Sequence, residues 1–132
     1  MPRAQWALRN DRPVIEIVLT RMPGGQEVTR TLLADTGAGN AQAPFEILLE
    51  ESDCVLCRGS LLKSAPLLGA FTGSHPIYLI PVKIPLLGVN QNVPAIGVPT
   101  LAATFDGIAC FRFLNRFTYG NFGNRGEFAL ET

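Results

Sequence analysis

The chain has 132 residues, of which 47% are hydrophobic and 17% charged. That is enough for one ordinary domain over 1–132 with its own core, and too apolar for a disordered chain. Eleven basic and eleven acidic residues cancel to a formal charge of zero, which leaves no electrostatic footprint for nucleic acid or an anionic membrane and favours self-association.

The first segment, MPRAQWALRNDRP, lacks the long apolar core of a secretory signal. No apolar run approaches the ~20 residues of a membrane-spanning helix. The most hydrophobic stretch, PIYLIPVKIPLLG, is broken by Pro81, Lys83 and Pro85. A cytoplasmic protein is the expectation.

Next, PVIEIVLT (13–20) alternates, with Ile15, Ile17 and Leu19 on one face and Glu16 and Thr20 on the other. That period of two predicts a strand. MPGG (22–25) is turn chemistry, and QEVTRTLLA (26–34) returns as its hairpin partner. In AQAPFEILLEESDCVLCRG (41–59), Phe45, Leu48, Leu49 and Ser52 recur at helical spacing behind Pro44, and Gly59 stops the run. The spacing predicts a helix there.

SLLKSAPLL and PIYLIPVKIPLL read as strands around the glycine-bearing loop GAFTGSH. VPAIGVPTLA is a further short strand. GIACFRFLNRF reads as a strand turning into a brief helix, and GEFALET as a terminal strand. Ten prolines and thirteen glycines spread along the chain fit many short strands. The expected class is all-β with one or two short helices.

Three cysteines give no disulfide framework. Cys54 and Cys57 form a C-x-x-C pair, but a zinc site needs about four ligands. Only Cys110 and His75 remain to supply them, so buried thiols are expected and no metal. His75, beside Pro76, reads as a turn residue.

The hairpin delivers the chain to LLADTGAGN (32–40), an apolar run ending in a single acid and two glycines. Asp35-Thr36-Gly37-Ala38-Gly39 resembles the active-site loop of the retropepsin-like aspartic proteases. In that family Asp-Thr-Gly sits at a strand end. Water held between two carboxyls, one charged and one protonated, hydrolyses a peptide bond without a covalent intermediate. Two carboxylates sharing a site cannot both ionise readily, and aspartic proteases are the known case of such a dyad. Gly37 permits close backbone approach, and Thr36 can donate and accept hydrogen bonds that tie two loops together.

The chemistry requires two aspartates and the chain carries one motif; its only other Asp-Gly, at 106–107, lacks the pattern. The resemblance therefore implies a closed retropepsin-like β-barrel that forms a homodimer, with Asp35 of each copy on the two-fold axis. It implies a polypeptide substrate and no cofactor. Gly69, Ala70, Phe71, Thr72 and Gly73 are the candidates for the tip of the family's flap. The terminal segments, with Trp6, Leu8, Phe128 and Leu130, are candidates to pair across the dimer.

Ile108-Ala109-Cys110-Phe111-Arg112 stands where relatives have a hydrophobic-hydrophobic-Gly segment supporting the catalytic loop. Cys110 takes the glycine position and Arg112 the acidic one, where an arginine would seek an acid. Two functional classes follow: an aspartic endopeptidase, and a dimeric peptide-binding module of the same fold with little or no hydrolysis. Intact Asp35-Thr36-Gly37 favours the first.

Overall fold

The computed structural model describes residues 2–67, 71–101 and 104–132. After a first strand, β1 (Arg3–Ala7), the hairpin forms as its alternation demands: β2 (Val14–Arg21) buries Ile15, Ile17 and Leu19 and leaves Glu16 exposed. Its partner β3 (Gln26–Ala34) pairs with it from Arg21↔Gln26 to Val14↔Leu33. Asp35 is the next residue.

Then follow β4 (Ile47–Glu50), helix α1 (Glu51–Leu56), β5 (Ser60–Leu67), β6 (Gly73–Ile84), a 3₁₀ turn (Pro85–Leu87) and β7 (Val89–Val98). The chain ends with β8 (Gly107–Ala109), helix α2 (Phe111–Leu114), β9 (Thr118–Gly120) and β10 (Glu127–Glu131). The protein is mostly β.

Six strands close a barrel in the order β2-β3-β8-β4-β7-β6, with β6 returning to β2 at Val18↔Lys83. β5 runs antiparallel to the first half of β6 as a hairpin arm. β8 has only three residues yet sits centrally, parallel to β3 at Leu33↔Ile108 and antiparallel to β4 at Leu48↔Ile108. It fits because Gly107 has no side chain: a Cβ there would lie 2.2 Å from the Leu48 carbonyl oxygen.

The helix expected over 41–59 is corrected. Residues 47–50 form a strand, and the helix is one short stretch starting at Glu51. Strand β4 lies between β7 and β8 and is covered on both faces, so Ile47, Leu48 and Leu49 are all buried. A short run buried on both sides carries no period of two and reads like a buried helix turn. Ile47 and Leu49 join the main core with Ile15, Leu32 and Phe113. Leu48 faces a smaller cluster with Phe45, Ile77, Ile96 and Cys110.

Two further expectations change. The terminal segments pair with each other inside one chain, from Arg3↔Glu131 to Ala7↔Glu127, and β9 extends that sheet. Phe128 and Leu130 are buried there without a second copy. His75 lies in β6 rather than in a turn. No helix among the described residues is long and apolar enough to cross a membrane.

Candidate active site

Leu32, Leu33 and Ala34 bring β3 along the core, and Asp35 stands half-buried at its end. The Asp35 amide donates to the Ala109 carbonyl at 3.0 Å, carrying the β3–β8 pairing one residue past the strand. The chain then folds back on the acid. The Gly37 amide donates to Oδ1 of Asp35 at 2.9 Å, and the Ala38 amide to its carbonyl at 3.2 Å. This is an Asx turn, which fixes the carboxylate by its own loop.

Each glycine has a physical reason. A Cβ at Gly37 would lie 3.3 Å from Oδ1 of Asp35, crowding the oxygen that the amide needs. Gly39 adopts φ 72°, in the left-handed region. Thr36 and Gly37 are exposed, so the loop presents its motif to the surface.

The support segment clamps the loop from behind. The Phe111 amide donates to the Ala38 carbonyl at 2.9 Å, and the Cys110 amide to the Glu46 carbonyl at 3.0 Å. Cys110 is 2% exposed and packs into the cluster with Phe45 and Leu48. Burial, and then the charge of Asp35, push its thiol up to about 12. The Asp35–Ala109 bond keeps an ordinary length beside it. Among the described residues Arg112 meets no acid: its Nη1 donates to the Ala43 carbonyl at 2.8 Å.

Two clefts flank this floor. One, of about 580 Å³, runs along Gly37, Ala38 and Gly39 over Leu48 and Cys110. The other, of about 520 Å³, is walled by Leu33, Leu101, Phe105 and Gly107, with Asn10, Arg12 and Thr104 as its polar lining. Ile108 and Phe71 line both. Of the flap candidates, Gly69 and Ala70 lie outside the described residues. Phe71 is half-buried, Thr72 is exposed, and Gly73 opens β6 at φ 95°. His75 Nε2 lies 3.1 Å from the Phe71 carbonyl and 3.2 Å from that of Thr72, so its N–H tautomer staples the hairpin end.

The sequence reading missed several members. Leu33, Leu101 and Phe105 build the second cleft from segments far apart in the chain. Glu46, 1% exposed, is held by Arg116. Its signal was there, a lone acid between Phe45 and Ile47. Among the described residues no three His, Cys, Asp or Glu side chains gather as a metal site. Cys54 and Cys57 are both buried. Burial pushes both thiols up, Cys54 to about 12.

No protein-family model matches the chain, and no curated protein sequence does. Among solved structures, a retropepsin-like aspartic protease from Rickettsia conorii matches at 18% identity, with a TM-score of 0.43 over 98% of this chain and 94% of its own.

Proposed function

We propose that the chain is an aspartic endopeptidase that acts as a homodimer. The observation that carries this reading is the setting of Asp35: a carboxylate at a strand end, fixed by the Gly37 amide in a loop whose Gly37, Ala38 and Gly39 line an apolar cleft. One carboxylate cannot act as acid and base at once. The exposed edge at Thr36 and Gly37 is where a second copy would bring its own Asp35.

In the dimer one Asp35 is ionised and the other protonated. The ionised carboxylate takes a proton from water as the water oxygen attacks the scissile carbonyl carbon. The protonated carboxyl gives its proton to the carbonyl oxygen, forming a neutral gem-diol. Collapse breaks the C–N bond: the carboxyl that took the water proton gives it to the amine nitrogen, the other carboxylate takes a proton from a gem-diol hydroxyl, and the original one-proton dyad returns. An extended peptide would lie between the β5–β6 hairpin and the floor of Gly37–Gly39 and Ile108, pairing through its main chain.

A second reading is favoured by Cys110, whose thiol occupies the place of the family's glycine at the edge of the cleft. On that reading the dimer binds peptides and cleaves them little or not at all. Digestion of a diverse peptide pool, read by mass spectrometry, separates the two. Cleavage by wild type and none by Asp35→Asn supports the peptidase; equal cleavage by both excludes the mechanism; cleavage by neither supports the binding module.

A further inference from the structure

Strand β5 ends the seven-stranded order, so among the described residues one row of its backbone donors and acceptors is unpaired. Its second half turns inward, with Ala65 buried in the cluster of Phe45 and Ile77. Its first half, residues 60–64, is exposed throughout. A bulge decides which side chains that stretch shows. Leu61 pairs with Tyr78 and Lys63 with Ile77, so β5 carries one extra residue, Leu62. Cross-strand partners share a face, and neighbours along β6 alternate. Leu61 therefore stands on the Tyr78 face and Lys63 on the opposite one. Leu61 is 64% exposed and Leu62 51%.

The helix before β5 enlarges this patch. α1 ends in a Schellman turn: the Arg58 amide donates to the Val55 carbonyl at 2.9 Å, and the Gly59 amide to the Cys54 carbonyl at 3.0 Å. Arg58 takes the left-handed position, at φ 52°, where glycine is usual. The glycine comes one residue later, where a Cβ would lie 2.6 Å from Cγ2 of Ile80. The Met22 amide donates to the Leu56 carbonyl at 2.8 Å, which brings the β2–β3 turn against the same helix. Met22 and Val55 are exposed too. With Leu61 and Leu62 they make four of the six large apolar side chains exposed among the described residues.

The charges beside them are unbalanced. Arg58 and Lys63 are exposed and, among the described residues, neither has an ion-pair partner. The acids of α1 are occupied, Glu51 by the Tyr78 hydroxyl at 2.6 Å and Asp53 by Arg30. A second copy would bring the same two cations, and a bulge and a lysine on an edge discourage pairing with a like strand. A strand that carries acids complements both.

We propose that the outer edge of β5 is a docking site for an extended segment of another protein in which acidic and apolar residues alternate. The segment adds as a strand beside residues 60–64. Its apolar side chains lie beside Leu61 and its acids beside Lys63, with one end reaching Arg58. The proposal does not rest on the peptidase reading, because none of residues 58–63 lines either cleft.

The test follows the backbone amides of isotope-labelled Asp35→Asn protein by NMR at low ionic strength, with three capped octapeptides. One alternates Glu with Val, one alternates Lys with Val, and the third is the Glu peptide with proline at its central valines. Added to about 1 mM, the Glu peptide should shift the amides of residues 60–64 and slow their exchange with solvent. The Lys and proline peptides should do neither. Arg58→Gly suits the left-handed position and leaves the fold intact. Combined with Lys63→Gln it should weaken binding about three- to fivefold.

Undiminished affinity in that double variant overturns the proposal. Equal binding of the proline peptide does so as well, since it means attraction without strand pairing. Shifts confined to residues 35–39 place the peptide in the cleft and overturn it too. Shifts at residues 60–64 that grow with protein concentration alone assign the edge to a second copy, against the proposal. No shift with the Glu peptide removes it outright. None of these outcomes bears against the peptidase reading.

Discussion

Arg116 grips Glu46 with both arms of its guanidinium, Nε on Oε1 at 2.5 Å and Nη2 on Oε2 at 2.6 Å. The carboxylate is 1% exposed, and the carbonyl of the same residue receives the amide of Cys110 behind the Asp35 loop. Arg116 also reaches Gln91 through Nη1. The pair thus fixes the backbone that supports the candidate site.

Removing the cation strands a buried charge. Arg116→Leu should lower the unfolding free energy by about 2–3 kcal/mol, less than for a fully enclosed pair because the arginine side chain keeps 37% exposure. Adding Glu46→Gln should restore part of that loss. Urea denaturation of both variants checks it, and an unchanged loss in the double variant would exclude charge burial as the cause.

Gly107→Ala should be among the most damaging single-methyl changes in the chain. The added Cβ would lie 2.2 Å from the Leu48 carbonyl oxygen and within 3.0 Å of two leucine side chains. Neither β3 nor β4 can retreat without opening the barrel, so a loss of about 3 kcal/mol is expected. Gly24→Ala meets nothing within 4 Å and should stay within about 0.5 kcal/mol of wild type. Denaturant midpoints compare the two.

Alkaline pH should destabilise the fold. Burial pushes the thiols of Cys54 and Cys110 up to about 12, and the bond to Glu51 pushes the Tyr78 hydroxyl up to about 12. The unfolded chain releases these protons earlier, near ~8.5 for a thiol and ~10 for tyrosine. Between those values and about 12 the folded state holds more protons than the unfolded one, so stability falls as pH rises. Below ~8.5 this contribution is complete. Cys54→Ala and Cys110→Ala should each flatten the decline in a stability profile from pH 7 to 11, whatever they cost at neutral pH.

Asp35→Asn separates chemistry from architecture. The asparagine carbonyl oxygen can still accept the Gly37 amide, so the loop should persist and stability should change by less than about 1 kcal/mol. On the proposed reading of a dimeric peptidase, peptide hydrolysis should fall by about a thousandfold or more, because such a dimer would lose both acids at once. Sedimentation of both proteins should show the same concentration-dependent shift towards twice the chain mass. A variant that stays monomeric while wild type dimerises would place the carboxylate in assembly as well.

What was legible in the sequence was local. Ile15, Ile17 and Leu19 announced β2 through simple alternation, and Asp35 to Gly39 form their turn from bonds within five residues. The strand β4 was hidden because neighbours on both sides bury Ile47, Leu48 and Leu49 alike. The pairing of the two ends was misread as intermolecular, since apolar alternation does not state whose strand will cover it. Glu46 and Arg116 lie 70 residues apart, and the cleft around Leu33, Leu101 and Phe105 is assembled from four segments, around residues 10–12, 33, 71 and 101–108. Only the closed barrel brings them together.

The seam between β3 and β8 also sets a timetable. Thr31 donates its amide to the Asp106 carboxylate and accepts the Asp106 amide, both at 2.8 Å, across a sequence separation of 75. Contacts of such long sequence separation are reached late, because the loop must be closed before they repay its entropy. Both clamps on the Asp35 loop, the Ala109 carbonyl and the Phe111 amide, belong to this late segment. A nascent chain that has not yet emerged beyond Gly107 therefore carries the acid without its supports. The site matures only after the chain as far as Phe111 has left the ribosome.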